Sequence, residues 1–254
     1  MHGKKRGQAT PFVIAGIVIF VLVVLLFYLR GSLFLGTVTL ETLQDTLSNI
    51  DAHVDKCVHQ VGDEPIRRIG LQGGHLSLAE DTFRKYNDIS ISYLCYNRDN
   101  DPRCYNRMLT VDEMERELSQ AIQQGLKTCV NVKKFTRGLD AQIGSFTVAT
   151  DIGQDVVTVL VTMPVVLKKG ELRAAQDKFT ASFSYPLGRL YQVNQDIITI
   201  ETIAGEFEQL SYMLSHQGQY IIEKKKPYPD KLYILTTKDS PYIFQFFVQG
   251  EPSV

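Results

Sequence analysis

Four cysteines (Cys57, Cys95, Cys104, Cys129) and five histidines (His2, His53, His59, His75, His216) are the residues of this chain best suited to nucleophilic, redox or metal chemistry. Their spacing argues against all three. No Cys-x-x-Cys and no paired-His spacing occurs, so a zinc site is not expected. Neither a His-Glu-x-x-His pair nor a Gly-x-Ser-x-Gly elbow is present. His53 and His59 stand six apart, too far round a helix to share a metal, and read as solvated helix residues. His75, next to Gly73 and Gly74, reads as the first residue of a strand, with a cleft-lining role as the alternative. Asp99-Asn100-Asp101 offers hard oxygen ligands but lacks the glycine and distal Glu of a calcium loop, so turn capping is the expectation. Gly70-Leu71-Gln72-Gly73-Gly74 has neither phosphate-loop spacing and predicts a tight turn leading into a strand. No catalytic residue, cofactor or metal is therefore expected.

An even number of cysteines in an oxidising space predicts two disulfides, for which three pairings exist. Cys95 and Cys104 bracket Tyr-Asn-Arg-Asp-Asn-Asp-Pro-Arg, a polar stretch rich in turn residues, which favours a local bridge. Cys57 and Cys129 remain, each on an apolar helical face. In the chain-entropy model the long loop contributes about 4 kcal/mol and the short one about 2.5 kcal/mol.

Helices must position that second pair. Leu40, Leu43, Leu47, Ile50, Val54, Cys57 and Val61 recur at alternating steps of three and four, a heptad seam in a helix that continues from the preceding apolar segment. Gly62-Asp63-Glu64-Pro65 is expected to weaken or kink it, with an end before Gly70. Thr110-Val111-Asp112-Glu113 is a capping box, after which Met114, Leu118, Ile122, Leu126 and Cys129 line one face of a helix to about Val130. Strands are predicted over 89–94, 146–150, 155–167 and 171–185, with Lys168-Lys169-Gly170 as a hairpin tip. A long helix over 187–215 and three antiparallel strands over 220–225, 231–237 and 242–249 complete the chain, although 198–203 also alternates like a strand. Lys168-Lys169 and Lys224-Lys225-Lys226 read as solvated hairpin devices against edge pairing, with an extracellular anionic polymer as the alternative. The fold class is α+β, because strands and helices come in separate runs.

The first 36 residues differ from the rest. Pro11–Leu29 holds 19 residues without a charge, enough helix for roughly 28 Å of hydrocarbon, so a transmembrane helix is predicted. Lys4, Lys5 and Arg6 precede it and only Arg30 follows closely, which puts the amino terminus in the cytoplasm and residues 37–254 outside. No small-x-small site follows the apolar run, so an anchor is expected over a cleaved secretory signal. The predicted organisation is a basic leader over 1–10, an anchor over 11–36, a membrane-proximal helix over 37–69 and an extracellular α+β domain over 70–254. Residues 37–254 carry 23 basic against 28 acidic residues, which argues against nucleic acid as a partner.

The leader ending at Gly7-Gln8 before an apolar helix resembles the class III signal of archaeal type IV pilin-like proteins. That resemblance implies cleavage between Gly7 and Gln8. Where those families place a Glu shortly afterwards, Pro11-Phe12 stands here, and an uncut anchor is the other reading. The Gly-Gln start, Cys57, Gly70-Leu71-Gln72-Gly73-Gly74, Cys129 and Pro241-Tyr242-Ile243-Phe244-Gln245-Phe246 also resemble a group of uncharacterised single-span archaeal surface proteins, which implies a cell-surface setting and no activity. Two functions follow as expectations. One is an anchored structural or adhesive surface protein, pilin-like if it assembles; the other is an anchored extracellular enzyme or ligand receptor. Membrane lipid and either self-association or other surface proteins are the expected partners. The seam is expected to divide, with Leu40, Leu43 and Leu47 serving an oligomer and Ile50 onward packing on the chain's own domain.

Overall fold

A computed structural model describes residues 10–33, 39–97 and 104–250, with side chains described at 14–27, 39–97 and 104–250. The leader, including Gly7 and Gln8, and Asp99-Asn100-Asp101 lie outside the described residues. Helix α1 spans Thr10–Leu33, and its described large apolar side chains are all exposed. Among the described residues no helix is long and apolar enough to cross a membrane.

Helix α2 covers Leu40–Leu71 and opens with a reciprocal cap, in which the Thr39 hydroxyl accepts from the Thr42 amide and the Thr42 hydroxyl accepts from the Thr39 amide. The helix passes through Pro65 and ends at Leu71, beyond the end expected before Gly70. Gly62 serves packing instead, since a Cβ there would lie 2.8 Å from the Phe183 ring. Gly73 and Gly74 then turn the chain at φ of +72° and +90°, conformations that favour glycine. No strand begins at His75; β1 starts only at Phe83 and runs to Tyr86.

Two sheets follow, where one was expected. The first contains β1, β2 (Ile89–Asn97), β3 (Cys104–Asn106), β8 (Tyr220–Lys225), β9 (Lys231–Thr237) and β10 (Ser240–Val248). Its order is β1-β2-β10-β9-β8, with β3 paired to β2. The β2–β10 pairing is parallel, over Tyr93↔Phe247 and Cys95↔Val248. Strands preceding residue 145 therefore belong to the sheet, and it is mixed.

The second sheet is antiparallel. Long β6 (Val157–Lys169) pairs with β7 (Leu172–Phe183) and with both β4 (Asp140–Ile143) and β5 (Thr147–Ile152). Pro164, which cannot donate to a ladder, is exposed where the β6–β7 register shifts between Thr162 and Val165.

Helix α3 (Val111–Cys129) has the expected capping box between Thr110 and Glu113 and buries Met114, Leu118, Ile122 and Leu126. The single helix expected over 187–215 is two, α4 (Leu187–Ala204) and α5 (Gln209–Ser215), because Gly205 caps α4 in the left-handed region. One core joins Leu43, Ile50, Val54 and Ile66 of α2 with Leu118 of α3, Val161 of β6, Leu190 of α4 and Phe246 of β10. Residues 40–69 are thus part of the domain, not a separate membrane-proximal element. A smaller apolar cluster of Ile91, Leu232 and Phe247 lies apart from it.

Candidate functional site

The cysteines are brought together by their elements. Cys57 sits on the buried face of α2 and Cys129 is the last residue of α3, with Cα atoms 5.7 Å apart and a disulfide between them. Cys95 and Cys104 stand on the paired strands β2 and β3, with Cα atoms 5.1 Å apart and likewise bridged. Both separations lie inside the range a disulfide can span.

The oligomer seam is not left open. Leu43 is fully buried and Leu47 only 8% exposed, so the chain's own core uses both, and of the three seam positions only Leu40, 46% exposed, faces outward. The cause is β7, which lies alongside this part of α2: Gln176 Nε2 donates to Asp51 Oδ1 at 2.8 Å. The expected division at Ile50 therefore moves toward the amino terminus by two turns.

Each histidine in the described region has a structural partner. His53 Nε2 accepts from the Asn131 amide at 3.3 Å, and its ring packs on Phe135. Burial, with Lys134 and Lys56 nearby, holds its pKa below the ordinary value. His59 lies 3.5 Å from Asp55 and packs on Phe183. His216 Nδ1 is 3.1 Å from Ser215 Oγ, which resembles a nucleophile and base. The same nitrogen sits 2.9 Å from the Tyr212 carbonyl, and a ring N–H donated there cannot accept a serine proton.

His75 lines a cavity of about 70 Å³ together with Ser77, Thr82, Ser92, Tyr93 and Arg107, so the cleft-lining alternative describes it better than a strand start. Burial lowers the pKa of His75, while Glu117 acts in the other direction. The Ser92 hydroxyl is buried without a protein partner. Such a space suits a few waters, with both signs of charge close by. Among the described residues no group of three His, Cys, Asp or Glu side chains is placed to hold a metal.

The most elaborate polar constructions are two buried carboxylates that sequence reasoning missed. Glu201, on α4, is 4% exposed. Its Oε1 accepts from the Phe207 amide at 3.0 Å and from the Tyr233 hydroxyl, and its Oε2 pairs with Lys231 at 2.7 Å. Lys231 also reaches Glu206 at 2.8 Å, and Lys224 reaches Glu206 at 2.7 Å. Burial alone pushes the Lys231 ammonium down, but the two carboxylates outweigh it and its pKa is raised. Bonds from Lys224 and Lys231 pull Glu206 down to about 2. Burial, then the bond to Glu201, drives the Tyr233 hydroxyl far above its usual range.

Asp230 is the second, 3% exposed between the two strands of the β8–β9 hairpin. It accepts from Arg84 at 2.5 Å, from the Tyr93 hydroxyl at 2.7 Å and from the Gly250 amide at 3.0 Å. Arg84 also donates to the Pro227 carbonyl at 2.9 Å and lies over the Phe247 ring. One signal was available for Glu201: it stands four residues after Ile197, on the face that buries Leu190, Val193 and Ile197. Asp230, inside Pro-Tyr-Pro-Asp, carried none.

Every oxygen of these two carboxylates accepts at least one bond from the protein itself, an arrangement that fastens elements together. No protein-family model, no curated protein and no solved structure matches this chain.

Proposed function

We propose that the protein is a single-pass, membrane-anchored cell-surface protein with a structural or adhesive role, its amino terminus cytoplasmic and its α+β domain outside. One observation carries this reading. In α1 the side chains of Ile14–Phe27 are uncharged and exposed on every side, with nothing of the domain packed on them. In water such a helix would forfeit its apolar surface, whereas hydrocarbon accepts it. By sequence the uncharged run continues to Pro11 and Leu29, the length of a bilayer core. Two disulfides support an oxidising compartment for the domain.

Burial of Leu43 and Leu47 leaves Leu40 as the one seam position open to a second copy, so a pilin-like filament would draw on the span more than on the seam. The experiment is flotation of the full chain with vesicles after alkaline extraction, combined with protease treatment of intact cells. Co-flotation, loss of an epitope at Val254 and survival of one at Met1 are expected. A chain released by alkali would end the anchored reading.

A further inference from the structure

Arg67, Leu71, Tyr185, Pro241, Tyr242 and Ile243 line an open cleft of about 170 Å³ where the end of α2 meets the start of β10. We propose that this cleft is a sugar subsite, which takes one neutral pyranose ring of a surface glycan. The inference rests on the adhesive reading above and names a ligand class for it.

The walls arise from the way α2, β7 and β10 meet. Tyr242 is 4% exposed, and its hydroxyl donates to the Ile66 carbonyl at 2.7 Å. Tyr185 stands two residues past the end of β7; its ring stacks on Phe183 and has its centre 4.9 Å from that of Tyr242. The Tyr185 hydroxyl donates to Asp63 Oδ1 and accepts from Arg67 Nε at 3.1 Å. Burial, then the bond to Asp63, raises the Tyr185 pKa, so the proton stays on the phenol. Both hydroxyls are thus committed to α2. What the two tyrosines give the cleft is aromatic surface, continued by Leu71, Pro241 and Ile243.

The polar groups come from α2. Arg67 Nε also pairs with Asp63 Oδ2 at 3.0 Å, and the two side chains are 64% and 46% exposed. Both contacts of Arg67 use Nε, so its two terminal amino groups are left to donate to a ligand. A cation would be repelled by Arg67, and an oxyanion drawn to Arg67 meets Asp63 beside it. A plain apolar chain would cover this charged pair without giving it new partners. A pyranose meets every demand at once. The C–H bonds of one ring face lie against aromatic carbon, whose face carries the negative part of its quadrupole. Its hydroxyls accept from a guanidinium and donate to a carboxylate. Size holds the occupant to one ring, because sites for larger ligands run to roughly 300–1,000 Å³. Arg67 stands about 40 Å along α2 from Leu40, where the chain arrives from α1, so the cleft lies at the end of the helix remote from the anchor.

The test is saturation-transfer NMR on the full chain in phosphatidylcholine vesicles, free of sugar-headed detergent. The probes are the methyl glycosides of glucose, galactose, mannose and N-acetylglucosamine. Irradiation at aromatic frequencies, where the lipid has no protons, should transfer to the ring protons of at least one of them. Arg67→Ala, at an exposed position, should weaken that binding about tenfold. Tyr185→Leu should abolish it, with near-ultraviolet circular dichroism to show that the fold is kept; Arg67→Ala decides alone if it is not. Methyl glucuronide should bind no tighter than methyl glucoside, and a short proline-rich peptide, the other guest that an aromatic groove admits, should not compete. Transfer to none of the four glycosides, binding unchanged in Arg67→Ala, or binding of the peptide in their place would overturn the sugar subsite. Flotation is measured on the same vesicles. A chain that floats and binds no sugar loses the subsite and keeps the anchor, while one that fails to float loses the anchored reading whatever it binds.

Discussion

Helices α2 and α4 are both docked on the core, but by different means. Helix α2 does it with an apolar stripe of Leu43, Leu47, Ile50 and Val54, closed by the Cys57–Cys129 bridge. Helix α4 buries Leu190, Val193 and Ile197 and then, one turn further on, a carboxylate whose partners come from β9 and the segment after the helix. The stripe gains by leaving water and tolerates small shifts. The Glu201 network must be complete, since a buried charge that loses one partner keeps its desolvation cost. Hydrophobic docking is therefore generic, and the charged docking fixes one arrangement of α4 against β9.

The largest effect should come from breaking the α2 side. Leu43→Lys with Leu47→Lys places two charges in the core and should cost well over about 5 kcal/mol, unfolding the domain as seen by near-ultraviolet circular dichroism. A domain that stays folded and only changes its assembly would return the seam to an oligomeric role. Next, Cys57→Ser with Cys129→Ser should lower stability by about 4 kcal/mol in urea titrations, because the bridge closes a long loop. On the α4 side, Glu201→Gln should cost about 3 kcal/mol by stranding Lys231 and Tyr233. Glu201→Leu combined with Lys231→Met should cost less than that single change; a greater cost would mean that the ion pair is net stabilising.

The smallest effect concerns acid. Glu206 in the folded chain titrates at about 2, below the usual glutamate value, so it favours folding above the unfolded pKa near 4.5. That contribution should fade as pH falls from about 4.5 through about 2. Because Glu206 is 44% exposed, solvent screens the pairs and the effect is modest. Thermal unfolding of Glu206→Gln should accordingly show a shallower acid decline than the unaltered chain; parallel declines would remove Glu206 from the network.

This contrast also governs what could be read in the sequence. Apolar spacing marked α2 and α3 and both faces that carry Cys57 and Cys129, because burial repeats with the helix period. Alternation and turn residues marked β2 and the six strands β5 to β10 within a few residues. Short β1, β3 and β4 escaped, since three or four residues paired at a sheet edge need no apolar pattern of their own. The break of the long carboxyl-terminal helix hinged on Gly205, whose left-handed geometry spacing does not reveal. Glu201, Lys231, Lys224 and Asp230 were illegible as a site because a charged residue looks solvated until its partners, 30 residues away in the case of Lys231, are seen beside it. Parallel β2–β10 pairing joins segments more than 150 residues apart, a relation no local window contains.

The bridge between α2 and α3 also decides how the chain would carry a load. Suppose the membrane end is held while something adhering to the outer domain pulls on its far side. Tension travelling along the backbone reaches Cys57 and crosses the sulfur–sulfur bond to Cys129, 72 positions later. Everything between them, including most of α3 and the whole of β1, β2 and β3, is bypassed. Roughly 250 Å of contour length is withheld from extension by that single covalent link. The Cys95–Cys104 pair lies inside the protected loop and bears none of the force. Such a load would thus be borne by the amino-terminal half of α2 and by the chain beyond Cys129, from β4 onward, a shorter and stiffer tether than the sequence length suggests.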